Sequence, residues 1–237
     1  VPRCLMDTIP MPIVWSLLGI VAAVVLGRLI LRDFRKSKAA NAAMASLRFR
    51  PCPAETASLT ATVRALHGAS NIEVRSAEKL KTRAGPVYRY EVHLLHDDTP
   101  SASEEFLLPM RRKSDRPMVL FMLPEGLDNG LARRMLEKLT AVLSPAGLAP
   151  VDVPPPLRSS VLSALAPEGS GLYDLIDDRQ LTQLRQAARL GFFVVRASGP
   201  HCALEVLSDY GQRMLPSFDL ATAARYVREL AERPARS

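Results

Sequence analysis

Residues suited to nucleophilic or redox chemistry are scarce in this chain. Cysteine occurs three times in 237 residues, as Cys4, Cys52 and Cys202. Thiols this few and this scattered exclude a disulfide framework. Aromatic side chains make up 5% of the sequence, with one tryptophan, so aliphatic residues must supply most of the core. Nucleotide-binding glycine patterns are missing as well. Gly126, Gly130, Gly169 and Gly171 form neither G-x-x-x-x-G-K-[ST] nor a strand-linked G-x-G-x-x-G.

Charge is also missing where it matters most. From Thr8 to Gly27 no side chain is ionisable as Asp, Glu, Lys or Arg. A helix over residues 8–31 would rise about 1.5 Å per residue and cover the roughly 30 Å of a bilayer's hydrocarbon core. The sequence therefore predicts a transmembrane helix at 8–31 behind a short external tail, 1–7. Pro10 and Pro12 suit its first turn, and Trp15 suits the outer interface. Arg28 suits the far end, where its stem can carry the charge to the headgroups. Arg32, Arg35, Lys36 and Lys38 follow in a basic juxtamembrane segment, 32–50. By the positive-inside rule they place the main domain in the cytoplasm, on a single-pass anchor in the cell inner membrane. A cleaved secretory signal would carry its basic residues before the apolar run, not after it.

The net charge of +7 divides unevenly. Residues 1–45 hold six basic and two acidic residues, and the remaining 192 hold 25 against 22. More than half of the excess belongs to the anchor region, and no nucleic-acid recognition motif accompanies the rest. Nucleic acid is therefore not an expected partner.

Past the anchor, the periodicity predicts an α+β domain over 51–143. A helix over 53–67 carries Leu59, Val63 and Leu66 on one face and stops at Gly68. Four strands, near 71–82, 86–96, 104–111 and 117–123, are expected to form an antiparallel meander. A helix over 130–143 closes the unit. A proline-rich linker, 144–156, then precedes a smaller unit over 157–237. That unit reads as a helix to Leu190, a hairpin across Ser198–His201 and a last helix over 220–233. The expected fold is thus a four-stranded antiparallel sheet packed by helices, plus a C-terminal helix-hairpin-helix unit.

Candidate sites are few. His93 and His96, beside Asp97 and Asp98, have the spacing H-x-x-H, but positions three apart on a strand face opposite sides. His201 and Cys202, with Asp209, suggest a nucleophile pair, yet adjacent residues seldom align for proton transfer. Asp177 and Asp178 read as a helix cap. No catalytic, cofactor-binding or metal site is therefore expected. A charge pattern carries more. In a four-strand meander the first and third turns share one end of the sheet. That would gather Lys79, Lys81, Arg83, Arg111, Arg112, Lys113 and Arg116, with Asp97, Asp98, Glu104 and Glu105 at the other end. The basic end would contact anionic headgroups or an acidic partner.

These features predict a membrane-anchored, non-enzymatic accessory or scaffold subunit of a membrane protein complex. Its expected partners are membrane lipids and other membrane-protein subunits. They would be met through the basic end and through small residues of the anchor, Ser16, Gly19, Ala22 and Ala23. The alternatives are a membrane-tethered enzyme with dispersed site residues, which a pocket joining His93, Asp177 or His201 would favour, and a ligand-sensing module.

Overall fold

The computed structural model describes residues 38, 42, 44–95, 101–122, 134, 147–155, 158, 161–172, 178–206 and 220–232. The chain divides into two compact units, Val1–Ala43 and Met44–Ser237. In the first, Lys38 and Ala42 are described; both are helical and exposed. The second contains β1 (Arg50–Pro51), a 3-10 turn (Pro53–Glu55), α1 (Thr56–His67), β2 (Ile72–Thr82), β3 (Gly85–Leu94) and β4 (Ser101–Met122). It continues with β5 (Ala149–Val151), β6 (Val161–Ala166), α2 (Asp178–Arg189), β7 (Phe192–Val206) and α3 (Leu220–Glu232).

Local chemistry accounts for the outer elements. Pro53 opens the turn that leads into α1, and Leu59, Val63 and Leu66 recur at helical spacing and are buried. Burying each such side chain contributes about 1.5–3 kcal/mol. Gly68 ends α1 in the left-handed region at φ 64°, its N–H bonded to the Arg64 carbonyl. A two-residue turn joins β2 to β3, where Thr82 pairs with Gly85. The α1 stripe packs on Ile72, Val74, Tyr90, Val92 and Leu107, with Ala203 beneath.

The described strands form one seven-stranded antiparallel sheet in the order β1-β2-β3-β4-β6-β5, with β7 paired to β4 off that path. β4 is its spine. Its first part pairs with β3 (Leu107 with Tyr88), its last part with β6 (Val119 with Leu165), and β7 runs beside both parts. Around the end of β4, Val119, Phe121, Leu165, Phe193 and Val194 form a cluster of their own.

This overturns the four-stranded meander and the separate C-terminal unit. The strands expected at 104–111 and 117–123 are one element, because the chain does not reverse at 113–117. Nor is there a hairpin at Ser198–His201; β7 continues through it as one strand, and both of its parts pair with β4. Polar and proline residues that read as turns are bulges in long strands. The expected linker carries β5, which pairs with β6. The helix expected at 130–143 lies outside the described residues, save Arg134, which is helical and exposed.

The anchor needs correction too. Residues 8–31 lie outside the described residues. Among the described residues no helix is long and apolar enough to cross a membrane. The longest, α3, has 13 residues, which at 1.5 Å per residue is about 20 Å, well short of a bilayer core. The single-pass transmembrane reading, and with it the inner-membrane location, is withdrawn.

Candidate functional site

The ribbon of β4 and β7 carries the polar interior. Tyr90 on β3, Glu105 on β4 and Glu205 on β7 stand in one row across three strands. Two carboxylates directly opposite each other repel, and Arg196 answers that repulsion. Its Nη1 donates to Glu205 Oε2 at 2.6 Å and to Glu105 Oε1 at 3.4 Å. Tyr90 donates its hydroxyl to Glu105 Oε2 at 3.0 Å. His67, the last residue of α1, brings Nε2 to 2.8 Å from Glu105 Oε1.

Glu105 is fully buried and Arg196 is 4% exposed. Burial alone would raise the Glu105 carboxyl. The neighbouring His67, Arg196 and Tyr90 outweigh it and hold the group down, at about 2. Burial, and then the adjacent carboxylate, push the Tyr90 phenol well above its ordinary value. Burial opposes the charge on Arg196, but Glu205 and Glu105 keep it protonated.

A second network lies on the opposite face. Arg89 donates through Nε to Glu104 in a short contact and through Nη1 to Glu78 Oε2 at 2.9 Å. Here burial outweighs the guanidinium and raises the Glu104 carboxyl, with Glu91 opposite adding repulsion. Near the start of α1, Lys79 donates to both Glu55 oxygens at 2.7 and 2.8 Å, and Tyr88 donates to Oε2 at 2.6 Å. The Lys79 bond draws the Glu55 carboxyl below its ordinary value.

The expected basic set is rearranged. Lys79 is spent on Glu55, while Lys81 and Arg83 are exposed at the β2–β3 turn. Arg111, Arg112 and Lys113 lie inside β4, and exposed Arg116 donates to Ser170 Oγ at 3.1 Å. A β-carbon built on Gly85 would sit 3.3 Å from Pro109 Cγ. The turn holding Arg83 therefore abuts β4 just before its basic run. Trp15, Arg28, Arg32, Arg35 and Lys36 lie outside the described residues; Lys38 is exposed.

The remaining candidates separate. His93 Nε2 lies 3.5 Å from Glu91 Oε2, and His96, Asp97, Asp98, Asp177 and Asp209 lie outside the described residues. Among the described residues no three His, Cys, Asp or Glu side chains are grouped to hold a metal. His201 and Cys202 occupy β7, where burial lowers the imidazole and pushes the thiol up to about 12. A thiol held protonated is not a nucleophile. Sequence reasoning missed Glu105, Arg196, Glu205 and His67 as a group. Their one local signal is Arg196, a cation directly after the apolar run Phe192–Val195 (FFVV).

No protein-family model matches the chain, and no curated protein matches it. Among solved structures the chain is similar to the crystal structure of the mycobacterial trehalose monomycolate transport factor A, TtfA. The TM-score is 0.43 at 9% sequence identity, covering 86% of this chain and 97% of that one. A likeness at this level assigns neither fold nor function.

Proposed function

We propose that the chain is a non-enzymatic accessory or scaffold protein that binds an acidic protein partner through the β2–β3 turn and the basic run of β4. The observation that carries this reading is the approach of Gly85 to Pro109. Gly85 follows Arg83 by two residues and Pro109 precedes Arg111 by two, which supports reading the β2–β3 turn and the basic run of β4 as one surface. Clustered cations steer an acidic surface into register and speed its approach, an effect that salt weakens.

The buried titratable groups support a binding role over a catalytic one. Catalysis at neutral pH needs groups tuned toward 7. Here Glu105 is driven down, and Tyr90 and Cys202 are driven up. Each is held in its unreactive form. Glu104 moves the other way, but Arg89 occupies it.

Purification in low salt, followed by identification of co-migrating proteins, tests the reading. The chain should retain an acidic partner that 0.5 M salt releases. The triple charge reversal Arg111→Glu, Arg112→Glu, Lys113→Glu should abolish retention while leaving the melting temperature within a few degrees. A monodisperse monomer without partners, or a reversal variant that binds as before, would overturn it.

A further inference from the structure

The Arg196 contacts have a geometric consequence. Arg196 and Glu205 lie nine residues apart on one strand, a span of about 30 Å if β7 were straight. Their side chains nonetheless meet at 2.6 Å. The rings of Phe106 and Phe192 meet at 6.2 Å, although Phe106 pairs with Leu204, far along β7 from Phe192. The β4–β7 ribbon is folded back upon itself.

The register locates the fold. β4 advances nine residues from Pro109 to Met118 while β7 advances four, from His201 to Ala197. The surplus residues bulge out of β4 and bend the ribbon. On the inner strand Gly199 takes φ 56°, a left-handed conformation natural to glycine. Between Pro109 and Met118, among the described residues, only Ser114, opposite Gly199, keeps a ladder partner on β7. On either side of this bend lies a separate apolar cluster, one under α1 and one around Val119, Phe121 and Phe193.

We propose that the bend is a hinge and that Arg196, held by Glu205 and Glu105, is its latch. With the latch closed, the end of the sheet containing β5, β6 and the start of β7 is folded against the end containing β2 and β3. With the latch released, the far end opens as a cooperative unit and the α1 end stays folded. Sub-global opening of this kind occurs where a contiguous motif has its own core and few ties to the remainder. The described ties across this bend are the ion pairs of Arg196, the ring contact of Phe106 with Phe192, and α3, whose Tyr226 meets Phe192 while the helix also packs against β2, β3 and β4. An ion-paired latch suits a switch because a single competing charge can release it.

Amide hydrogen exchange of the full chain, read by mass spectrometry, tests the latch. The substitution Glu205→Gln removes the negative charge from the 2.6 Å arm and leaves Arg196 its Glu105 arm. Exchange at 119–122, 161–166 and 192–195 should quicken together by about tenfold, while 72–94 keeps its rates. Arg196→Gln should quicken the same three segments more. Equal acceleration at both ends in Glu205→Gln would mean a merely structural pair. No acceleration at the far end would mean no latch. Either result overturns the proposal, and should Arg196→Gln fail to fold, Glu205→Gln decides alone.

Discussion

The two faces of β4 handle the same side chain in opposite ways. Glu104 and Glu105 are neighbours, both largely withdrawn from water, and both near an arginine. Toward α1, Glu105 meets a tyrosine hydroxyl, a guanidinium and an imidazole, and its carboxyl is held at about 2. On the other face, Glu104 shares one guanidinium with Glu78 and confronts Glu91. Its carboxyl is raised. Depth alone therefore does not decide the charge state of a buried acid. The ratio of donors to competing carboxylates does, since desolvation acts on both and only enough partners reverse it.

Substitutions at the two positions should separate sharply. Glu105→Gln comes first in size. Because folding depresses this group from its ordinary 4.5 to about 2, its stabilising effect is complete above 4.5 and fades as pH falls toward 2. Urea unfolding should show a loss on the order of 3 kcal/mol at pH 7, shrinking steadily in acid. A loss independent of pH would mean that shape, not charge, holds the site. Glu104→Gln is the small partner of this pair. A carboxyl raised by folding weakens the native state as pH rises past its ordinary value. Neutralising it at pH 7 removes that penalty but also the charge facing Arg89, so the two effects oppose each other and stability should change by less than about 1 kcal/mol. A loss as large as that at Glu105 would erase the contrast between the faces.

What could be read from the chain follows the range of the interactions involved. α1, β2, β3, α2 and α3 were legible because their signals are local. Leu59, Val63 and Leu66 repeat at helical spacing, Tyr90 and Val92 alternate along a strand, and Gly68 and Gly191 stop helices. β4 and β7 were not legible. Proline, glycine and clustered charge at 109–117 and 198–201 are turn chemistry when only neighbours are counted. They become a bulged bend here, because β4 and β7 find each other as ladder partners on both sides of it, at 104–109 and 118–121 of β4. Glu105 was misread for the same reason. Beside Glu104 it reads as part of an acidic end of the sheet, and its guanidinium partner lies 91 residues away. The basic residues near β4 are visible in the sequence, but the geometry that brings Gly85 close to Pro109 is not. That approach depends on a glycine packing against a proline across two strands.

Carbon-13 NMR of the full chain, labelled at glutamate side chains, follows both carboxyls through one pH titration. Stability at Glu105 and the polar interior around it rest on the order in which they take up protons. Glu104 should become protonated first, above the ordinary glutamate range, and Glu105 last, at about pH 2. If Glu105 is instead protonated alongside Glu104 or before it, the donors around it do not hold its charge, and the contrast between the two faces is wrong.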